Sequence, residues 1–236
     1  NLAGSTANHT GAGGLDAVVQ RRGPDGSVTW TTAIAGPAND RAYGVVDDGD
    51  GGALVGGYSR AATDDMVVAR VSGSGETLWT TTAGDPAAAD RAYAVAADGG
   101  GGAYLAGYTS GSLPGRTSAG DKDAALVRVG ADGAVLWTAQ VGGPGEDKAY
   151  AVAVAADGTV VVAGSTTDAM PGGSAAGGLD AWVAGYSPSG ELLWLNQIGT
   201  GSADQLQALV ATPDGVVAAG YTGGTLPGAA GGSAGG

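Results

Sequence analysis

Residues 90–138 decide the fold. They read DRAYAVAADGGGGAYLAGYT over 90–109 and, after a loop, DKDAALVRVGADGAVLWT over 121–138. Four short apolar runs stand out, at 92–97, 103–109, 124–129 and 134–138. Their length, their Val and aromatic content and the flanking Gly or Asp-Gly predict strands, not helices. Gly100-Gly101 separates the first pair and Asp132-Gly133 the second. Gly supplies the positive φ of a tight hairpin without a steric penalty. The four runs therefore predict an antiparallel meander.

The pattern recurs along the chain. Trp30, Trp79, Trp137 and Trp194 each stand fourteen residues after an Asp: Asp16, Asp65, Asp123 and Asp180. Each Trp follows a Gly by four: Gly26, Gly75, Gly133 and Gly190. Ten or eleven residues further comes a second Asp: Asp40, Asp90, Asp147 and Asp204. Sixteen or seventeen residues after that, an apolar run ends on Gly57, Gly107, Gly164 or Gly220. Agreement at so many offsets is an internal repeat.

A four-stranded meander recurring every 49 to 58 residues predicts an all-β chain of propeller blades. The expected units are 1–35 (partial), 36–84, 85–142, 143–199 and 200–236 (partial), about four blade-equivalents in one propeller segment. A spare strand is expected at 2–6, where LAGST resembles VAGST at 162–166. The preferred reading is part of a larger propeller. Closure of a four-bladed ring by the terminal strands, or completion of blades between chains, are the alternatives.

Composition narrows the function. Hydrophobic residues make up 43% of the 236, mostly Ala, Val and Leu, with no Phe. The core must be thin, with Trp and Tyr giving bulk. The net charge of −13 argues against nucleic-acid partners, which need clustered cations. The absence of Cys rules out disulfides and thiolate chemistry. No apolar run nears the ~20 residues of a membrane helix, so membrane insertion is not expected. The start at Asn1 reads as a processed product or a window from a longer chain.

The unit resembles the SBBP-type β-propeller repeat, which is related in layout to NHL-type blades. The resemblance rests on Asp90-Arg91-Ala92-Tyr93-Ala94-Val95, Leu105-Ala106-Gly107-Tyr108-Thr109, Asp123-Ala124-Ala125-Leu126-Val127 and Gly133-Ala134-Val135-Leu136-Trp137-Thr138. It covers nearly the whole chain and implies secreted or surface-attached proteins, often without assigned activity. Where the family often has an aromatic before Pro, this chain has Leu113-Pro114, Met170-Pro171 and Leu226-Pro227.

Each candidate site has a plain structural reading beside it. Asp40, Asp90, Asp147 and Asp204, with Asp85, Asp121 and Glu146 nearby, could ring a cation. Their recurrence favours turn-fixing carboxylates, and Arg41, Arg91 and Lys148 dilute the charge. Asp47, Asp48 and Asp50 look like a calcium loop but lack the distal Glu of an EF-type site. Calcium is thus the one cofactor considered. The Gly-x-x-x-Trp spacing resembles the docking motif of quinoprotein propellers, yet the motif's Asp positions hold Arg22, Val71, Val129 and Tyr186. The four Trp read as blade-to-blade packing, and no quinone is expected. His9 is the lone His. Asn8-His9-Thr10 is a glycosylation sequon.

The loops between second and third strands vary. They are short at 59–64 and long at 110–122 and 167–179. Variable loops on a rigid scaffold commonly bind, so Ser110, Leu113, Arg116, Lys122, Thr167 and Met170 are the expected interaction residues. The expectation is a non-enzymatic extracellular or cell-surface module that meets a protein or glycan partner, or assembles with itself through blade edges. The alternatives are a carboxylate-dependent hydrolase or lyase acting on extracellular glycans, and a calcium-dependent binding propeller.

Overall fold

The computed structural model describes residues 14–34, 36 and 39–226. The strand expected at 2–6, together with Asn8 and His9, lies outside the described residues. Among the described residues there are sixteen strands and no helix. β1 (Ala17–Arg22) and β2 (Val28–Ile34) form one antiparallel pair. β3 (Asp40–Asp47), β4 (Ala53–Arg60), β5 (Asp64–Val71) and β6 (Thr77–Ala83) form a four-stranded sheet in sequence order. β7 (Asp90–Ala97), β8 (Ala103–Thr109), β9 (Asp123–Val129) and β10 (Val135–Val141) form the next. β11 (Asp147–Val154), β12 (Val160–Thr166), β13 (Asp180–Tyr186) and β14 (Leu192–Ile198) form the third. β15 (Asp204–Thr212) and β16 (Gly215–Thr222) close the series as a pair. All pairings between strands are antiparallel. The fourth strand of the repeat, expected at 134–138 with an extension, runs on to Val141, where Ala139, Gln140 and Val141 pair with Leu126, Ala125 and Ala124.

Three apolar cores lie between successive sheets. One joins Ala17, Val19 and Ile34 to Val55, Ala69 and Val71. The next joins Leu54, Met66 and Val68 to Val95, Leu105 and Val127. The third joins Tyr104, Ala106 and Leu126 to Val152, Val162 and Trp182. Alternate residues of a strand face opposite sides, so Leu54 and Val55 serve different cores. β8 and β12 are buried along their whole length. A strand covered on both faces reads as a continuous apolar run. Ala, Val and Leu fill most of the cores, with Trp182, Tyr104 and Tyr186 supplying the bulk.

Trp30, Trp79 and Trp137 each reach into the next sheet. Trp30 Nε1 donates to Gly73 O at 2.9 Å, Trp79 Nε1 to Ala131 O at 2.8 Å and Trp137 Nε1 to Pro188 O at 3.0 Å. The indole lies across the hairpin Gly of that sheet. A Cβ on Gly75 would stand 2.8 Å from the Trp30 ring, and one on Gly190 would stand 2.8 Å from Trp137. These glycines also hold φ of +89° and +87°, so two separate demands exclude a side chain there. Thr81 Oγ1 adds a bond to Gly133 O at 2.6 Å.

Each first strand carries a β-bulge. The register shifts between Ala42 and Gly44, Ala92 and Ala94, Ala149 and Ala151, and Leu206 and Ala208. The backbone there crowds the second strand. A Cβ on Gly57, Gly107, Gly164 or Gly220 would lie 1.7 to 1.9 Å from the carbonyl oxygen of Arg41, Arg91, Lys148 or Gln205. The glycine that ends each second-strand apolar run is thus the partner of a bulge.

Trp79→Ala should cost on the order of 3 kcal/mol of unfolding free energy in urea titration. Trp79→Phe keeps ring packing and loses only the donor to Ala131, so its cost should be about 1 kcal/mol. Equal losses in the two variants would refute an indole hydrogen bond across the sheets.

Candidate functional site: a tyrosine row on the first strands

The bulged residue of each first strand is Tyr43, Tyr93, Tyr150 or Gln207. A bulge leaves its extra residue outside the ladder and redirects its side chain. The three rings form a row. Tyr43 and Tyr93 centroids are 5.5 Å apart, edge to face, and Tyr93 and Tyr150 are 5.4 Å apart, stacked. Tyr58 and Tyr108 support them from the second strands, 6.0 Å behind Tyr43 and 5.8 Å behind Tyr93. These supporting rings are buried, at 3% and 5% exposure, whereas Tyr43 is 45% exposed and Tyr221, further along, 48%. Burial pushes the Tyr108 hydroxyl up to about 12 and raises those of Tyr93 and Tyr150. All therefore stay neutral hydroxyls at physiological pH.

Two residues before each Tyr stands a cation: Arg41, Arg91 and Lys148. Arg91 Nε donates to Asp64 Oδ2 at 2.6 Å, and its guanidinium lies 4.7 Å from the centre of the Tyr58 ring. Burial works against the Arg91 charge, but the bond to Asp64 outweighs it. Arg60 holds the other Asp64 oxygen at 2.5 Å. Lys148 Nζ donates to Glu146 at 2.6 Å, and Lys122 Nζ donates to the same carboxylate. Those two ammonium groups hold Glu146 below the usual carboxylate range. Arg41 makes no ion pair among the described residues. Lys122 and Lys148 are the only lysines in the chain. Both lie at this row, with Lys122 Nζ 5.7 Å from the Tyr108 ring.

The repeated aspartates tie turns. Asp40 accepts the amide of Gly36 at 2.6 Å, Asp90 that of Asp85 at 2.7 Å, Asp147 that of Gly143 at 2.8 Å and Asp204 that of Thr200 at 2.6 Å. Asp123 and Asp180 accept Ala119 and Ala176 amides at 2.8 Å each. Asp65 sits beside the short loop and is only partly buried, while Asp64 takes the buried place. Asp16 is partly buried at the start of the first pair. Asp123 Oδ1 and Asp147 Oδ2 both lie within 2.6 Å of where a Gly142 Cβ would stand. Both residues are fully buried, out of reach of a polymer substrate. Burial raises Asp90 to about 6, against bonds from Thr109 and the Asp85 amide, with Asp65 and Asp85 adding repulsion. Burial raises Asp147 as well.

The Asp47, Asp48, Asp50 turn is satisfied internally. Asp47 accepts the Gly49 amide at 2.6 Å. Asp48 accepts the amides of Asp50 and Gly52 and the Arg70 guanidinium, and Asp50 takes the other arm of Arg70 at 2.6 Å. Burial works against the Asp48 charge, but Arg70 and the two amides hold the carboxyl below its ordinary range. Among the described residues no three acidic or His side chains stand together as a metal-binding group.

The long loops differ from the sequence expectation. Leu113 and Met170, expected to meet a partner, are 1% and 2% exposed and belong to the cores. Each opens a Pro-Gly turn, closed by the Arg116 amide on Leu113 O and the Gly173 amide on Met170 O. Gly115 and Gly172 hold φ of +74° and +75°, as the third position of a type II turn requires. Two glutamines clamp the loops. Gln140 accepts the Leu113 amide and donates to Gly111 O and Asp123. Gln197 does the same with Met170, Asp168 and Asp180. Arg116 donates to Thr138 O at 3.0 Å. Ser110 and Thr167 bond back to Ala89 O and Glu146 O. Ser110, Arg116 and Thr167 are exposed as expected, as are the tips at Pro114, Thr117, Pro171 and Ser174. Gln three residues after Trp occurs only beside the long loops, where the short-looped sheet has Thr82. That was the available sequence signal for the clamp.

No family model and no curated protein matches the chain. Among solved structures it is similar to a protein of unknown function from Bacteroides caccae. That match has 12% identity and a TM-score of 0.44, and covers 91% of this chain and 72% of the other.

An Asp whose folded pKa lies above its unfolded value favours the fold most at low pH, and that contribution is lost as pH rises through the folded value. For Asp90 the loss should fall between about pH 4 and about pH 6. Asp90→Asn should remove this slope, so urea midpoints of variant and parent should diverge upward in pH, in favour of the variant. Parallel curves would refute the buried carboxylate. Leu113→Ala should destabilise by about 2–4 kcal/mol, a cost that a solvent-facing contact residue would not show.

Proposed function

We propose that the chain is a segment of a β-propeller acting outside the cell or on its surface as a non-enzymatic binding module. On this reading the sheets are blades, the first strands line the propeller axis, and the partner is a protein or a glycan held on the axial face. The observation that carries it is the tyrosine row, where bulges in successive blades turn rings out of the ladder beside fixed cations. Tyr104 and Tyr186, by contrast, are buried in the cores. The resemblance to SBBP-type repeats and the net charge of −13 support a solvent-exposed extracellular setting. The loop tips around Pro114 and Pro171 offer a second, smaller contact area at fixed spacing.

A further reading, self-assembly through blade ends, is favoured by one observation. Trp194 is 39% exposed and stacks over its own Gly185 instead of a following blade. At the other end, among the described residues, nothing lies within 4 Å of where a Gly26 Cβ would stand, whereas Gly75, Gly133 and Gly190 lie under indoles. By register, the carbonyl two before that glycine, Pro24 O, corresponds to the acceptors Gly73, Ala131 and Pro188.

The binding reading predicts that Tyr43→Ala with Tyr93→Ala abolishes partner retention in pull-downs from cell-surface fractions while the circular dichroism spectrum is unchanged. Retention that survives the double substitution would move the site elsewhere. The assembly reading predicts concentration-dependent sedimentation that Trp194→Ala returns to a single monomeric boundary. A chain that stays monomeric at every concentration would refute it.

A further inference from the structure

Resting on the assembly reading above, we propose that the partner at both ends is a second copy of this chain. The β1–β2 pair of one copy joins the β15–β16 pair of the other as one four-stranded sheet, and two chains close a ring of eight sheets.

The first support is the kind of strand at each end. β15 opens on Asp204, as β3, β7 and β11 open on Asp40, Asp90 and Asp147, so β15 and β16 are a first and a second strand. β1 and β2 match third and fourth strands, with Trp30 in the place of Trp79, Trp137 and Trp194. Each end thus holds the half that the other lacks. In the single chain the halves stay apart as separate two-stranded sheets.

The second is apolar surface left bare at those ends. Val95 and Val152 are 7% and 8% exposed, whereas Val45, at the same position of its strand, is 60% exposed. Val95 is covered by the first two strands of the preceding sheet: a Cβ on Gly44 or Gly56 would stand 2.9 or 3.0 Å from its side chain. Among the described residues no such strands precede Val45. In the joined sheet, Ala208 and Ala219 of the second copy take the places of Gly44 and Gly56. At the other end Val217 is 56% exposed, while Leu54, Tyr104 and Val161 at its position in β4, β8 and β12 are at most 2%. Val210 and Tyr221 are exposed as well. Covering such surface drives association. Trp194 falls in the same contact, with Gly26 and Pro24 of the second copy set against it as Gly190 and Pro188 are set against Trp137.

The third is register. Second and third strands pair at one offset in every complete sheet: Gly57 with Val67, Gly107 with Ala125, Gly164 with Trp182. That offset sets Gly220 opposite Val18 of the second copy, and Ala218 opposite Gln20. An edge strand presents the amides and carbonyls for such pairing. Unlike patches that meet head to tail either close a ring or propagate. Each chain carries three complete sheets and two halves, so two chains make eight sheets, the upper end of the range typical of propellers.

The strand expected at 2–6 is the rival for the free edge of β1. It would supply one second strand only, leaving Val45 without a first strand and β16 and Trp194 bare. A second copy covers both ends at once.

The chain has no Cys, so introduced thiols read the register without background. Opposite residues of an antiparallel pair have Cβ atoms about 4.5–5.5 Å apart, near disulfide reach. Chains carrying Ala218→Cys and Gln20→Cys are mixed while dilute, concentrated and oxidised, then run on a non-reducing gel. They should give a linked dimer in at least about tenfold the yield of either chain alone, or of Ala218→Cys mixed with Val19→Cys, because a one-residue slip turns a side chain to the other face. The unsubstituted 236-residue chain should sediment as a single species of twice the chain mass. Val45→Glu and Val217→Glu should each weaken that dimer by at least about tenfold, or about 1.4 kcal/mol. Both positions are exposed in the single chain, so the circular dichroism spectrum should be unchanged.

A chain that is monomeric at every concentration would overturn this pairing and the assembly reading together. An oligomer without the in-register disulfide would overturn the pairing and leave assembly standing. A disulfide formed within a chain carrying both Leu2→Cys and Gln20→Cys, while the mixed chains form none, would give the β1 edge to residues 2–6 and overturn the second copy. A ladder of higher multiples would overturn closure at two chains.

Discussion

An indole N–H meeting a carbonyl oxygen in the neighbouring sheet is the contact on which the arrangement depends. No strand of one sheet pairs along its length with a strand of another. What joins the sheets is three thin cores, the three Trp bridges at their rims, single backbone bonds such as Asp40 N to Leu15 O, Asp147 N to Lys122 O and Asp204 N to Leu179 O, and the Arg91–Asp64 and Lys122–Glu146 ion pairs. Small side chains bury little area each, and hydrophobic stabilisation scales with area. A Trp laid over a bare glycine turn adds a large apolar surface where the cores are narrowest. Its donor also fixes how far the sheets can slide, because a hydrogen bond weakens steeply with misalignment.

Much of this was legible in the sequence because it is periodic. The Asp, Gly and Trp spacings give the units, the strands and the hairpins. The strands fall close to expectation because Gly turns and apolar runs are local signals. What was not legible depends on contacts between distant residues. The recurring glycine at 57, 107, 164 and 220 marks a bulge, yet the reason lies in a carbonyl some sixteen residues away in sequence. Tyr43, Tyr93 and Tyr150 look like ordinary strand aromatics until the bulge redirects them. Their ring-to-ring spacing belongs to the packing of separate units, about which a single repeat says nothing.

The long loops teach a related lesson. Length variation drew attention to Leu113 and Met170 as contact residues, but an apolar residue before Pro-Gly can serve as a plug. Here it fills core space that the short loop of the preceding sheet does not reach. The Gln clamps explain how irregular segments of this length stay ordered, since each satisfies a loop amide, a loop carbonyl and a strand Asp at once. Of the six loop residues expected to meet a partner, Leu113 and Met170 are core plugs, while Ser110, Arg116 and Thr167 remain exposed.

The bridges also have a direction. In every case the Trp comes first and its acceptor follows, 43 residues later for Trp30, 52 for Trp79 and 51 for Trp137. A ribosome therefore completes each sheet with its own indole still uncovered. The next hairpin to emerge is the one that covers it. Assembly from the amino-terminal end adds each new unit onto a waiting aromatic, much as bricks are laid on fresh mortar. Refolding from denaturant has no such order, and near-identical turns then compete for the same indole. The same repetition that makes the fold easy to read makes vectorial synthesis its natural route to correct pairing.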